Sequence, residues 1–542
     1  MSAPVVNAGL IRNLLSVGGF TLLSRITGFF RDVMLGAILG AGALADAFYI
    51  AFRLPNHFRA IFGEGAFNAA YVPTYSRVLE TEGAQQAKQF SAQIFTLLLA
   101  SQILLLALAL IFTRTLIEWL APGLAQDSDK FAQAVIMTRI TFPYLLCVTL
   151  VTLLAGTLNA HGRFAAAAFA PVLLNLSIMA LLAVAFLFPH AGIAASVGIL
   201  VAGALELWLM VEAARRAGVL AFFARPRLTA DIRQFFKAFL PAVIGSAGVQ
   251  IALFADTIIG SMLPTGGISS IYYADRLYQL PIGVIGIAAG TVLLPEMSRR
   301  FSSGDAAGAL DAQNRTMAFT IALAAPFFVA FTLMPETIMR GVFMRGVFTA
   351  EDAAASARVL GAYGMGLLAI VLIRSAVASF QARGDTTTPM MISLGAIAIN
   401  LCIKLALFQP LGAQGLAIGT AVGAWVNFSL LVFLAMRRGD MEIQKLLQKV
   451  LLAAFVASCV LAVFAWFCLE YLYALAALFG SHKDLLALVL AGVAGAIIYF
   501  AALMAMLYAL GLRPAHLRPL RRSANVAGSA SASSSVPPAG QD

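Results

Sequence analysis

Charge is what this sequence has least of. Only 11% of its 542 residues are Asp, Glu, Lys or Arg, against roughly 25% in water-soluble domains, which excludes an aqueous surface for most of the chain. Cysteine is scarce too. Cys147, Cys402, Cys459 and Cys468 each sit in an apolar segment, at spacings that fit neither a disulfide framework nor a metal site; they read as small free-thiol packing residues. His57, His161, His190, His482 and His516 are scattered, and none opens an HExxH zinc motif. A GxxxxGKS/T phosphate loop is missing, which excludes ATP hydrolysis in the P-loop manner. So is a GxSxG nucleophile elbow. No constellation supports an enzyme, and no cofactor is expected.

What remains is apolar. Hydrophobic residues make up 61% of the chain and mean hydropathy is +0.90. Apolar runs of about 18 residues or more recur from end to end, each long enough to cross a hydrocarbon core of about 30 Å. The net charge of +11 does not mark a nucleic-acid partner, because the basic residues lie in short loops between apolar segments, where the positive-inside rule places them. The first apolar segment carries Arg25, Arg31 and Asp32 and no small-residue cleavage site, so a removable signal peptide is not expected. The Ala-, Ser-, Gly- and Pro-rich run from Ser523 to Asp542 is expected to be a disordered tail.

Charged, Gly- and Pro-marked loops divide the chain into about 14 transmembrane helices. With the N-terminus inside, roughly 22 Lys and Arg fall on the cytoplasmic side and about 7 opposite; both termini are expected to be cytoplasmic. The chain also repeats itself. Tyr49-Ile-Ala-Phe-Arg53-Leu54 matches Tyr272-Tyr-Ala-Asp-Arg276-Leu277, Pro73-Thr-Tyr-Ser-Arg77 matches Pro295-Glu-Met-Ser-Arg299, Asn159-Ala-His-Gly-Arg163 matches Gln381-Ala-Arg-Gly-Asp385, and Gly192-Ile-Ala194 matches Gly415-Leu-Ala417. The offset stays at about 222 residues throughout. The expected fold is an all-α polytopic membrane protein of two six-helix lobes, related as parallel repeats about an axis along the membrane normal, with two added C-terminal helices. The divisions are 1–220, 221–440, 441–522 and the tail 523–542. In a membrane such an arrangement points to transport by alternating access rather than to a scaffold.

Ionisable residues within the apolar segments carry the functional information, since each costs at least about 2.5–3.5 kcal/mol at mid-membrane and needs a partner or a wet cavity. Ser24, Arg25, Gly28, Arg31 and Asp32 recur at helical spacing as one polar stripe. Asp46, Tyr49 and Arg53 share the next helix, followed by Arg59 and Glu64; Asp275 and Arg276 answer them in the second repeat, with Gln250, Asp256, Arg374, Asn400 and Lys404 elsewhere. Arginine binds phosphate oxygens bidentately and stays charged at physiological pH, so a pyrophosphate head group suits this cluster. The bland alternative is internal pairing of Arg31 with Asp46, Arg59 with Glu64 and Arg276 with Asp275. Arg25, Arg31, Arg59 and Arg276 lead as substrate contacts, with Arg53 and Arg374 behind them. Lys404 is expected to snorkel toward an interface. The GxxxG spacing of Gly36 and Gly40 is assigned to helix packing.

Ser24-Arg25-Ile-Thr-Gly28-Phe-Phe-Arg31-Asp32, Ala45-Asp46-Ala-Phe48, Leu54-Pro55-Asn56 and Arg59-Ala-Ile-Phe-Gly-Glu64-Gly65-Ala66-Phe67 together resemble the MurJ (MviN) lipid II flippase family of the multidrug/oligosaccharidyl-lipid/polysaccharide exporter superfamily. Tyr272-Tyr-Ala-Asp-Arg276-Leu277 and Arg383-Gly-Asp-Thr-Thr-Thr-Pro389 fit the same family. The resemblance implies that undecaprenyl-pyrophosphate-linked muropeptide is moved from the cytoplasmic to the periplasmic leaflet of the bacterial inner membrane. It implies that Arg25, Arg31, Arg59 and Arg276 bind substrate, that Asp32, Asp46 and Glu64 serve conformational switching, and that the last two helices form a groove for the lipid tail. It also implies coupling to Na+, H+ or membrane potential, with Asp256 and Asn400 as candidate ion ligands, and wall-synthesis enzymes as candidate partners. Ala60 and Lys404 depart from the family pattern. A flippase for another undecaprenyl-linked polysaccharide precursor, a cation-coupled drug exporter and a membrane scaffold are the competing readings; the cationic cavity argues against the exporter.

Overall fold

The computed structural model describes residues 8–59 and 65–513. Glu64, Ala60 and the C-terminal tail lie outside the described residues.

The first repeat is built of α1 (Ala8–Leu39), α2 (Ala43–Arg59), α3 (Gly65–Thr81), α4 (Ala84–Ile111), the short α5 (Thr113–Leu120), α6 (Ser128–Thr141), α7 (Pro143–Ala160), α8 (Ala165–Ala183) and α9 (Ala191–Arg216). The second holds α10 (Ala230–Ser261), α11 (Gly267–Pro281), α12 (Ile287–Ser302), α13 (Ala306–Leu333), the short α14 (Pro335–Phe343), α15 (Ala350–Gln381) and α16 (Thr387–Arg437). Two more helices follow, α17 (Lys445–Ala477) and α18 (Lys483–Ala509), packed on each other and against α13 and α14. The described residues hold no strand, as the bilayer demands of any segment that must satisfy its backbone internally. This is a multi-pass membrane protein.

Nine stretches of the described residues are long and apolar enough to span a bilayer by themselves. Of the other crossings among the about 14 read from the loops, α1 and α10 are single 32-residue helices, and two are made of pieces, α2 with α3 and α11 with α12. Proline lies inside α2, α3 and α12, and one π-helical turn, Ile282–Gly286, joins α11 to α12. Proline and π-turns both break the i→i−4 ladder and redirect a helix. The 51-residue α16 is two crossings, because Gly412 (φ 56°, ψ −135°) turns the chain back on itself. Its arms are close enough that a β-carbon on Gly423 would stand 2.7 Å from the Asn400 side chain.

Left-handed glycines mark the repeat in the backbone. Gly83 and Gly304 (φ 88° and 78°), Gly162 and Gly384 (70° and 83°), and Gly218 and Gly439 (71° and 73°) end helices at matching places in the two halves.

The halves meet firmly at one end. The Val347 N–H donates to the Ala37 carbonyl at 2.9 Å, and the Tyr273 hydroxyl donates to the Gly40 carbonyl at 2.8 Å. Gly36 lies against Phe343 and Tyr273, so the GxxxG segment packs against the other half. At the opposite end α10 leans on α3 through the Phe67–Phe235 ring contact, 5.8 Å between centroids, and an Arg77–Asp231 ion pair.

Candidate functional site

Between α1, α8 and the α11–α12 junction lies a cavity of about 760 Å³, lined by Arg25, Arg31, Asp32, Asn175, Arg276 and Gly283 among others. Three of its charged residues are arginines and one is a carboxylate. The polar stripe of α1 faces this space.

Asp32 is the centre of the charge cluster. Arg31 donates through Nε (3.0 Å) and Nη2 (2.7 Å) to Asp32 Oδ1, and through Nη1 to Asn175 Oδ1 at 2.8 Å. The Tyr272 hydroxyl donates to the same Asp32 oxygen at 3.0 Å. From the second lobe Arg276 Nε stands 3.4 Å from Asp32 Oδ2, and its guanidinium lies 4.5 Å above the Tyr272 ring. One carboxylate therefore holds two arginines from two lobes. Arg25 is exposed to the cavity, has no ion-pair partner among the described residues, and rests against Gly283 in the π-turn, where a β-carbon would collide with its guanidinium.

Two of the pairings expected from the sequence are replaced. Arg31 does not reach Asp46; its flexible stem curls around the helix to its sequence neighbour, which the rule that consecutive residues diverge does not anticipate for so long a side chain. Asp46 instead accepts from Lys130 Nζ at 2.9 Å, from the backbone N–H of Gly266 (2.8 Å) and Ser269 (2.9 Å), and from the Ser269 hydroxyl (2.8 Å). Gly266 is the N-cap of α11 and offers no side chain, so Asp46 caps that helix from the other lobe. A carboxylate is favoured there by the exposed amides and the helix dipole. Arg276 does not pair with Asp275, which accepts a hydrogen bond from Gln279; neighbours on a helix point apart, and Asp32 lies on the Arg276 side. The third pairing, Arg59 with Glu64, falls outside the described residues.

Arg59 does not line the cavity; it lies within electrostatic reach of the buried Glu206 on α9, which also hydrogen-bonds Tyr144. Arg53 is half-buried, within reach of Asp275 and His57. Arg374 is exposed and rests along Gly290 of α12. Lys404 does not snorkel: it is 4% exposed, and its ammonium stands 2.6 Å from Asp256 Oδ1. A carboxylate within hydrogen-bond reach outweighs the reach to an interface. The motif Arg383–Pro389 is a loop clamp, with Arg383 on Asp440 at 3.1 Å and Asp385 on Arg438 at 3.0 Å.

Sequence reasoning missed Asn175, Lys130 and Glu206. Glu206 carried a signal, as a lone acid within the apolar run Gly203–Met210. Lys130 was hidden among the loop charges Asp127 and Asp129, and Asn175 by its lack of charge.

An apolar groove of about 620 Å³ adjoins the cavity, lined by Leu277, Pro281, Phe327, Leu461, Leu488 and Phe500 among others; Phe29 and Leu280 wall both spaces.

A family model described as lipid II flippase MurJ matches residues 35–482. The chain belongs to the MurJ family. A probable lipid II flippase MurJ of Rhizobium meliloti (strain 1021) is 39% identical over 532 residues, covering 96% of this chain and 97% of the relative. A lipid II flippase MurJ of Burkholderia cenocepacia is 33% identical over 436 residues, covering 79% and 84%. The solved structure of a lipid II flippase MurJ in an inward closed conformation shares the fold at TM-score 0.75 and 22% identity, covering 91% of this chain and 99% of that one. An inward-facing multidrug resistance MATE transporter of the MOP superfamily follows at TM-score 0.63 and 14% identity, covering 78% and 97%. The MurJ fold of this chain thus sits within a wider transporter architecture.

Proposed function

We infer that this protein is a lipid II flippase, carrying undecaprenyl-pyrophosphate-linked muropeptide from the cytoplasmic to the periplasmic leaflet of the bacterial inner membrane, with both termini cytoplasmic. The observation that carries the reading is the junction of two unlike spaces. A cavity with three arginines and one carboxylate shares Phe29 and Leu280 with an apolar groove, which suits a ligand that is a pyrophosphate at one end and a polyprenyl chain at the other.

Arg25 and Arg276 are the leading contacts for the pyrophosphate. Arg25 has no ion-pair partner among the described residues, and Arg276 is held loosely, at 3.4 Å from Asp32 and over the Tyr272 ring. Arg31 spends its donors on Asp32 and Asn175 and acts by holding the carboxylate that Arg276 shares. A pyrophosphate entering beside them supplies the negative charge that the three arginines lack. Competition between that ligand and Asp32 for Arg276 loosens a tie between the lobes, so binding and rocking are linked through one side chain.

The test is to deplete the protein in its host and count lipid II accessible on the outer leaflet. Inner-leaflet accumulation, rescued by wild type and not by Arg25→Ala or Arg276→Ala at normal expression, is the expected result. An unchanged lipid II distribution with a different glycan precursor trapped inside would assign the cavity to that precursor instead.

A further inference from the structure

The family resemblance implies a sodium site, with Asp256 and Asn400 as its candidate ligands. The residues present do not fit one. The Lys404 ammonium stands 2.6 Å from Asp256 Oδ1, at the distance of a charge-assisted hydrogen bond, and its side chain is only 5% exposed while that of Asp256 is 39% exposed. The carboxylate is thus partly open, with a cation already fixed against it.

The surroundings hold Lys404 there. Lys404 and Asn400 lie one turn apart on the first arm of α16, and the second arm crosses them at Gly419, where a β-carbon would come within 2.6 Å of Lys404 Cγ and 3.2 Å of Asn400 Oδ1. Asn400 Oδ1 is buried and has no hydrogen-bond partner among the described residues. A carboxylate, an unpartnered amide oxygen and a buried positive charge thus occupy one corner of the second lobe. Oxygen donors of this kind suit a hard cation, but a carboxylate neutralised by an ammonium has no charge left for a second one.

The corner also touches the interface. Thr257, beside Asp256 on α10, pairs its hydroxyl with His57 Nε2 of α2 at 2.9 Å, and Asp256 lies within electrostatic reach of Asp275. The charge carried at Asp256 is therefore felt where the lobes meet.

We propose that Lys404 is a built-in cation: its ammonium fills the place beside Asp256 that a mobile Na+ would take, so that this transporter completes its cycle without binding Na+. The proposal rests on the transporter reading but not on the identity of the lipid carried. A tethered charge cannot dissociate to either side of the membrane, so a Na+ gradient has no hold on this corner.

The experiment measures thermal unfolding of the purified full-length protein in detergent, in NaCl, KCl or choline chloride at equal ionic strength. Wild type is expected to melt at one temperature in all three; a saturable, Na+-specific rise would overturn the proposal. Lys404→Met keeps the length of the side chain and releases Asp256. It is expected to gain a Na+-specific rise of a few degrees, absent in the Lys404→Met/Asp256→Asn double variant. A folded Lys404→Met protein indifferent to Na+ would also overturn the proposal. If that variant does not fold, Lys404→Gln carries the same comparison. No readout here uses the substrate, so failure in this assay is distinct from failure of the flippase reading, which appears in the leaflet count.

Discussion

Tyr49 of the first repeat stacks on Tyr272 of the second, with ring centroids 3.9 Å apart and planes inclined by 22°. The two occupy the same place in their repeats, as do Asp46 and Ser269, which are hydrogen-bonded to each other. Equivalent residues touch only near the axis that relates the halves, so α2 and α11 lie along it. Tyr272 joins that axis to the charge cluster, because its hydroxyl donates to Asp32 and its ring carries Arg276. Tyr272→Phe keeps the stack and removes a donor to a charged acceptor, at a cost of about 1.5–3 kcal/mol. Tyr272→Ala also empties the core at that point, at about 3–5 kcal/mol. Denaturant unfolding of the purified variants should rank them in that order, and a Phe variant as unstable as Ala would contradict it.

Arg25 and Arg31 should separate binding from folding. Arg25→Ala removes no ion pair among the described residues, so normal insertion and melting are expected together with loss of growth support under depletion. Arg31→Ala strips Asp32 of two hydrogen bonds within a buried pair, for which about 3–5 kcal/mol is typical. A fall in melting temperature confined to Arg31→Ala is the expected pattern; equal falls in both would mean that Arg25 is structural.

Asp46 should be worth more than its salt-bridge partner. Asp46→Ala leaves Lys130 buried without its carboxylate and the first turn of α11 without its cap, a loss of about 3–5 kcal/mol. Lys130→Met should cost less, since Asp46 keeps its hydrogen bonds from Gly266 and Ser269. Their double-variant cycle should show a coupling of at least about 0.5 kcal/mol; strict additivity would deny the pair.

The loop clamp at Asp385 is sensitive only to strong acid. The Thr388 hydroxyl and N–H, with the Arg438 guanidinium, hold this carboxyl at about 2, below the usual value of about 3.9. The depressed value means that the clamp's contribution is fully present above about pH 4 and is lost as pH falls through about 2. Asp385→Asn should flatten the acid limb of a melting-temperature profile in that window and leave the profile at neutral pH unchanged in shape.

Much of this was legible in the sequence because membranes impose it. The crossings, the repeat and the polar stripe Ser24–Asp32 follow from apolar length and helical spacing alone. The partners of the charges were not legible in the same way. Arg31 bonding Asp32, and Asp46 bonding Lys130 and α11, depend on which helix crosses which at a given depth, and no periodicity encodes that. Lys404 shows the limit best: a lysine near a helix end reads as snorkelling until the return arm of α16 is seen to cover it.

The cap that Asp46 gives α11 has a consequence for how this end of the molecule parts. The same oxygens bind the lobes together and satisfy the backbone of a helix end, and buried N–H groups left without an acceptor are too costly to persist. Water must therefore arrive as the halves draw apart. Wetting and separation are one event here, and the passage has no dry half-open stage.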